Sequence, residues 1–195
     1  MRKFNDYEKT QSYATTEKLP VGGYVLRIEA VRYEEGKNGN SDRIQLRFDV
    51  AEGEQKDFFR KNYDSQTSED KKWKGTMSIY VPKDDGSEQD SWTKRRFKTI
   101  MEAFEASNDR YTWNWDENSL KGKFIGGVFG EINTVIDDKQ ITYVGFRYST
   151  TVDNIRNRNY KIPEPQTKNG ATANTVQKND GFMSIPAGSE EEIPF

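Results

Sequence analysis

With 195 residues, 32% of them hydrophobic and 32% charged, the chain has room for one domain of roughly 140 to 160 residues plus tails. Its core must lean on large side chains, and the 25 aromatics (11 Phe, 10 Tyr, 4 Trp) exceed what a core of that size needs. Zero Cys excludes disulfides and thiolate metal sites, zero His removes the commonest general base and zinc ligand, and a net charge of -2 excludes bulk basic character as a basis for binding nucleic acid.

Residues 1–18 are polar, with Phe4, Tyr7 and Tyr13 scattered through them, and are read as a partly ordered N-terminal arm. The arm lacks the apolar run of a leader, and no stretch approaches the roughly 20 apolar residues of a membrane span, so a cytoplasmic location is expected. Leu19-Pro20-Val21-Gly22-Gly23 then launches a strand over Tyr24–Tyr33, with Tyr24, Leu26, Ile28 and Ala30 on one face and Val25, Arg27, Glu29 and Val31 on the other. An Asn38-Gly39 turn leads to a second strand, Asp42–Val50. There Ile44, Leu46, Phe48 and Val50 face the core, and Arg43, Gln45, Arg47 and Asp49 face water.

A third strand is expected over Asp57–Tyr63. After a polar loop, alternation resumes over Trp73–Val81, with Met77, Ile79 and Val81 inward and Thr76, Ser78 and Tyr80 outward. Ser91 is placed as the cap of a helix running to about Ala106, because Phe97, Ile100, Met101 and Phe104 recur at helical spacing; Trp92 then sits at its start. Tyr111-Thr112-Trp113-Asn114-Trp115 follows as an exposed aromatic stretch. A second hairpin runs over Lys123–Ile132, turns at Asp137-Asp138-Lys139 and returns over Gln140–Tyr148. Gly126, Gly127 and Gly130 within it predict a bulge or sharp coil. Five or so coiled strands with one helix are the recipe of an OB-fold-like barrel, so the fold is expected to be mainly β, with the domain over residues 19–160. Residues 161–188, poor in apolar side chains, are expected to be a flexible linker, and residues 189–195 an acidic docking tip at the end of a disordered C-terminal tail.

Function is sought on the wet faces of the strands, since the dry faces are committed to the core. Arg32-Tyr33, Arg60-Lys61-Asn62-Tyr63, Lys71-Lys72-Trp73-Lys74 and Arg147-Tyr148 each set cations beside a ring; Arg43, Arg47 and Tyr80 share the strand faces, and Arg156 and Arg158 extend them past the last strand. Single-stranded nucleic acid requires that pairing, because its flexible phosphates attract mobile cations while its unstacked bases need π surfaces. Residues 1–160 hold 27 bases and 27 acids, a balance compatible with such binding when charge is segregated by face. Enzyme readings fail on the same residues. Asp84-Asp85, Asp137-Asp138 and Glu34-Glu35 sit in turn-like stretches where paired carboxylates are ordinary, and the glycines of 122–130 lack the Gly-Lys-Ser/Thr ending of a phosphate loop. Neither a catalytic constellation nor a metal or cofactor site is expected.

The chain ends in Glu190-Glu191-Glu192-Ile193-Pro194-Phe195. Three carboxylates steer such a segment toward a basic patch, and Ile193, rigid Pro194 and Phe195 offer a small apolar plug, which makes it a docking peptide for a partner protein. The stretch closely resembles the acidic tip of bacterial single-stranded DNA-binding proteins, which in that family recruits replication, recombination and repair proteins. Leu19-Pro20-Val21-Gly22-Gly23-Tyr24-Val25-Leu26-Arg27-Ile28 and Ile44-Gln45-Leu46-Arg47-Phe48-Asp49-Val50-Ala51-Glu52-Gly53 are similar to phage and mobile-element proteins of Gram-positive bacteria regarded as single-stranded DNA-binding proteins of OB-fold type. The resemblance implies a phage-type single-stranded DNA-binding protein that coats DNA during replication or recombination and recruits partners through its tip. A protein-interaction module that presents the same tip without binding DNA is the alternative, and homo-oligomerisation stays open.

Overall fold

The sheet is organised by a 13-residue strand, β1 (Gly22–Glu34), that is shared between two neighbours. Its first half pairs antiparallel with β4 (Phe124–Ile136) and its second half with β2 (Arg43–Val50), the pairings meeting at Leu26 and Arg27. The structure, a computed structural model, describes residues 5, 17–37, 40–136 and 139–168. The tip, most of the tail, most of the N-terminal arm and the turn residues Asn38, Gly39, Asp137 and Asp138 lie outside the described residues.

β2 pairs with β3 (Thr76–Tyr80) and β4 with β5 (Lys139–Thr150), giving the path β3-β2-β1-β4-β5. The fold is therefore mainly β, as expected, and the order of its five antiparallel strands is OB-like, with a sheet that is not closed. Among the described residues three α-helices accompany it where one was expected: α1 (Phe58–Ser65), α2 (Glu88–Ser107) and α3 (Val152–Arg156). A 3-10 turn, Glu117–Leu120, leads into β4. Among the described residues no helix is long and apolar enough to cross a membrane.

The core lies between the inner face of the sheet and α2. Leu26, Ile28, Ile44, Leu46, Phe48, Met77 and Ile79 from the strands meet Phe97, Ile100, Met101 and Phe104 from the helix. An aromatic knot fills its centre: Phe48 packs against Phe59, Phe129 and Phe146 with ring centroids 5.3, 6.0 and 5.9 Å away. That absorbs part of the aromatic surplus, each ring burying more apolar area than an aliphatic side chain. A smaller second cluster, Val25, Val128, Val152 and Ile155 with Tyr148 and Tyr160 against it, seats α3 on the other face of the sheet. Gly126 makes this approach possible, since a Cβ there would stand 2.6 Å from both Ile155 Cγ1 and the Thr151 carbonyl oxygen.

Several expectations are corrected. Asp57–Tyr63 is not a strand: Asp57 takes a left-handed conformation (φ 60°) and launches α1, because the carboxylate of Asp49 accepts the N–H groups of Phe59 (2.9 Å) and Arg60 (3.1 Å). For the same reason Asp49 is buried rather than on the wet face. α2 starts at Glu88, one turn earlier than expected, because Ser87 is the cap and accepts the N–H of Asp90 at 3.1 Å. Trp92 therefore lies within the helix, while Phe97, Ile100, Met101 and Phe104 are buried as their spacing predicts. The β4–β5 register shifts between Val128 and Phe129, beside the glycines. The expected linker begins at Lys161, yet residues 161–168 lie against the sheet. Lys161 and Glu164 are bonded to Tyr148 and Arg147, and β6 (Gln166–Lys168) pairs parallel with β4 over Ile132–Thr134.

Candidate nucleic-acid interface

The outer face of β1–β2–β3 is laid out by register. Arg43 stands between Glu34 and Tyr80, Gln45 between Arg32 and Ser78, and Arg47 between Ala30 and Thr76. Strand alternation puts these residues on one side because their neighbours Ile44, Leu46 and Phe48 are committed to the core. A bulge in β1 disturbs the pattern. Ile28 faces Phe48 and Ala30 faces Arg47, so Glu29 is the extra residue and everything beyond it changes face. Val31 consequently packs toward the core beside Leu46, and Tyr33 falls opposite Ile44 rather than beside Arg32 on the wet face. Tyr33 stays 43% exposed at the rim, with its hydroxyl on the carboxylate of Asp42.

Where β2 runs toward α1, the cations and rings come together. The Arg47 guanidinium lies over the ring of Trp73 at 4.8 Å, the ring of Tyr63 is 5.7 Å from that of Trp73, and Lys71 Nζ is 5.7 Å from the Tyr63 ring. The half-buried indole is fixed, its Nε1–H donating to the Phe48 carbonyl at 3.0 Å. The basic loop before β3 is also held: the side-chain amide of Gln66 accepts the N–H of Lys72 and donates to its carbonyl, both at 2.8 Å. Such preorganisation lowers the ordering cost of binding. Lys74 is exposed in the same loop, and Arg60 and Lys61 project from α1.

Acidic neighbours temper the charge. Glu34 holds Arg43 at 2.7 Å and Arg32 at 3.7 Å, while Glu29 holds Arg27 at 2.7 Å and reaches Arg60 at 4.0 Å. Lys61 donates to the Lys56 carbonyl at 2.9 Å. Burial pushes the Asp49 carboxyl above its ordinary value, against the downward pull of the backbone N–H groups of Phe59, Val50 and Arg60. The hydrogen bond to Asp42 pushes the Tyr33 phenol up to about 12.

Of the residues expected from sequence, Arg47, Tyr63 and Trp73 are joined directly, with Lys72 and Lys74 in the same loop as Trp73 and Arg60 and Lys61 on the same helix as Tyr63. Arg32, Arg43 and Tyr80 share the sheet face. Arg147 and Tyr148 have other engagements. Arg147 donates to the carbonyls of Glu131 (3.1 Å) and Glu164 (2.9 Å), and Tyr148 packs on the second cluster with its hydroxyl on the Lys161 carbonyl at 2.7 Å. Arg156 in α3 forms a two-pronged pair with Glu52, at 2.5 and 3.3 Å, and Arg158 is exposed just beyond with φ 56°. Glu190, Glu191, Glu192, Ile193, Pro194 and Phe195 lie outside the described residues. Sequence reasoning missed Gln66, whose clamp has no local signal, and the two carboxylates Glu29 and Glu34 that sit among the cations. No protein-family model matches the chain, and no curated protein matches it.

Proposed function

We propose that the protein binds single-stranded DNA on the outer face of β1–β2–β3, with Trp73 and Tyr63 as base platforms and the surrounding cations on the phosphates. The observation that carries this reading is the stack of Arg47 over Trp73 beside Tyr63 on an OB-like sheet. An incoming base takes the place of the Arg47 guanidinium on the indole, and the displaced guanidinium turns to a phosphate. Each base so stacked contributes about 1 to 3 kcal/mol, and each phosphate neutralised adds about 0.7 to the salt slope of single-strand binding. Flat aromatic faces suit any base, so the binding is sequence-tolerant, as a DNA-coating protein of replication or recombination requires.

Anisotropy titrations with labelled oligothymidine test it. Trp73→Ala weakens binding roughly 5- to 150-fold, and Arg47→Ala lowers the salt slope by about 0.7. Affinities within twofold of the parent for both variants, with melting temperatures kept, would overturn the reading. The second half of the proposal is that Glu190–Phe195 recruits replication or recombination proteins, supported by its resemblance to the bacterial tip. Deleting Ile193-Pro194-Phe195 then abolishes partner capture and leaves DNA affinity unchanged or slightly tighter; loss of DNA affinity would assign the segment to the binding domain instead.

A further inference from the structure

Two of the four tryptophans are used by neither the core nor the strand face. Trp115 is 78% exposed, and its ring lies nearly parallel to that of Phe97, 6.0 Å away at 13°. Its φ is +63°, a conformation costly for a bulky side chain and kept only where the surroundings impose it. Trp92 is 38% exposed, with the Arg95 guanidinium over its ring at 4.9 Å. The helix that carries Trp92 is basic along this stretch: Lys94, Arg95, Arg96 and Lys98 fall between Ser91 and Thr99 with no acid among them. Lys94 is tied to Asp84 and Asp90, whereas Arg95 is exposed, Arg96 is exposed in part with burial pulling its guanidinium below its ordinary value, and Lys98 is 77% exposed, 3.6 Å from Glu102.

The geometry of α2 joins these residues into one surface. At 3.6 residues per turn, Glu105 lies about 80° round the helix from Phe97, Lys98 about 100°, Arg95 about 160°, Trp92 about 220° and Arg96 about 260°. The N–H of Trp113 is bonded to the Glu105 carboxylate at 2.8 Å, so the 111–115 segment covers the Glu105 side, next to Lys98. Read round the outside of α2 over Trp92–Lys98, the order is therefore Trp115, Lys98, Arg95, Trp92, Arg96: ring, cation, cation, ring, cation, with Glu88 and Glu102 on the same side at about 180° and 140°, one turn before and one turn after this stretch. That alternation matches the needs of a flexible polyanion carrying unstacked bases. The surface lies across the core from the Arg47–Trp73 stack, since α2 packs on the inner face of the sheet and Arg47 is on the outer one.

We propose that the outer face of α2 together with Trp115 is a second single-strand contact surface, engaged by a further segment of a DNA strand long enough to pass round the domain. This rests on the reading that the chain binds single-stranded DNA. The test uses two oligothymidines, one within the roughly 4 to 16 nucleotides of a single OB-fold site and one several times longer. Arg95→Glu/Lys98→Glu, at exposed positions, is expected to bind the short one within about twofold of the parent. For the long one it is expected to lose about tenfold in affinity and to show a salt slope shallower by about 1.4, two phosphates' worth. In Trp73→Phe, the long oligothymidine still quenches emission from Trp92 and Trp115, and Trp92→Phe/Trp115→Phe loses that component. Parental binding of the long strand by the charge variant, with no quenching left in Trp73→Phe at saturation, overturns the second surface alone. Failure of the parent to bind either oligothymidine overturns both this proposal and the one it rests on.

Discussion

Asp49 is the residue through which fold and interface are coupled, and replacing it has a calculable effect. Its side chain is 1% exposed and accepts the backbone N–H groups of Val50 (2.8 Å), Phe59 (2.9 Å) and Arg60 (3.1 Å), the last two being the start of α1. Asp49→Ala leaves the two α1 donors unpaired, at about 1 to 3 kcal/mol each, so a loss of about 3 kcal/mol is expected. For a domain of this size that is a fall of roughly 6 to 12 °C in melting temperature. Asp49→Asn keeps one acceptor and sets an amide N–H₂ against a donor, which costs less. The sign of the pH dependence follows from burial, which raises the carboxyl above its ordinary 3.8. The folded state then binds the proton more readily than the unfolded chain, so this group's contribution is fully present below 3.8 and declines as pH rises through the raised value. The stability difference between the parent and Asp49→Asn is therefore expected to grow in the parent's favour as pH falls from 7 toward 4. Circular-dichroism melts of the parent and both variants across that range are the assay. Since α1 carries Tyr63, oligothymidine affinity should fall with the melting temperature. An Asp49→Ala protein that melts within about 2 °C of the parent would refute the reasoning.

Two further outcomes are expected. Gly126→Ala places a Cβ 2.6 Å from Ile155 and from a backbone oxygen that cannot yield, so overpacking of about 1 to 3 kcal/mol should lower the melting temperature and loosen α3; an unchanged melt would show that α3 does not seat there. In an absorbance titration, the tyrosine lost in Tyr33→Phe should be one that ionises near pH 12 in the parent and near its ordinary 10 in Asp42→Asn. Its stabilising contribution is complete below pH 10 and is lost as pH rises through about 12.

The parts of the fold that were legible are those where one face is committed to the core. Ile44, Leu46, Phe48 and Val50, and Met77 with Ile79, alternate as buried residues must, and Phe97, Ile100, Met101 and Phe104 carry the helical period of α2. Errors came where a distant group decides local structure. Phe58-Phe59 reads as strand by propensity, but the carboxylate of Asp49, ten and eleven residues upstream of Phe59 and Arg60, takes their amides at the start of α1. The bulge at Glu29 has neither Gly nor Pro to announce it, so Tyr33 was assigned the wrong face. Ser91 was the only cap considered for α2, whereas Ser87, one turn earlier, accepts the N–H of Asp90 and starts the helix there. The interface was legible as fragments. Arg47, Tyr63 and Trp73 were each singled out, but their contact depends on Tyr63 being helical. Trp115 is exposed as its polar neighbours suggest, but Tyr111 and Trp113 of the same stretch are half-buried against the core, and the stack of Trp115 on Phe97 joins residues 18 positions apart with no sequence signature.

The central claim is that the domain binds single-stranded DNA, and the most direct measurement is a titration of its tryptophan emission with oligothymidine at two salt concentrations, beside a duplex of equal length. The account predicts quenching, an affinity that falls as salt rises, and much weaker binding of the duplex. Flat emission together with no mobility shift at the lower salt concentration would contradict it.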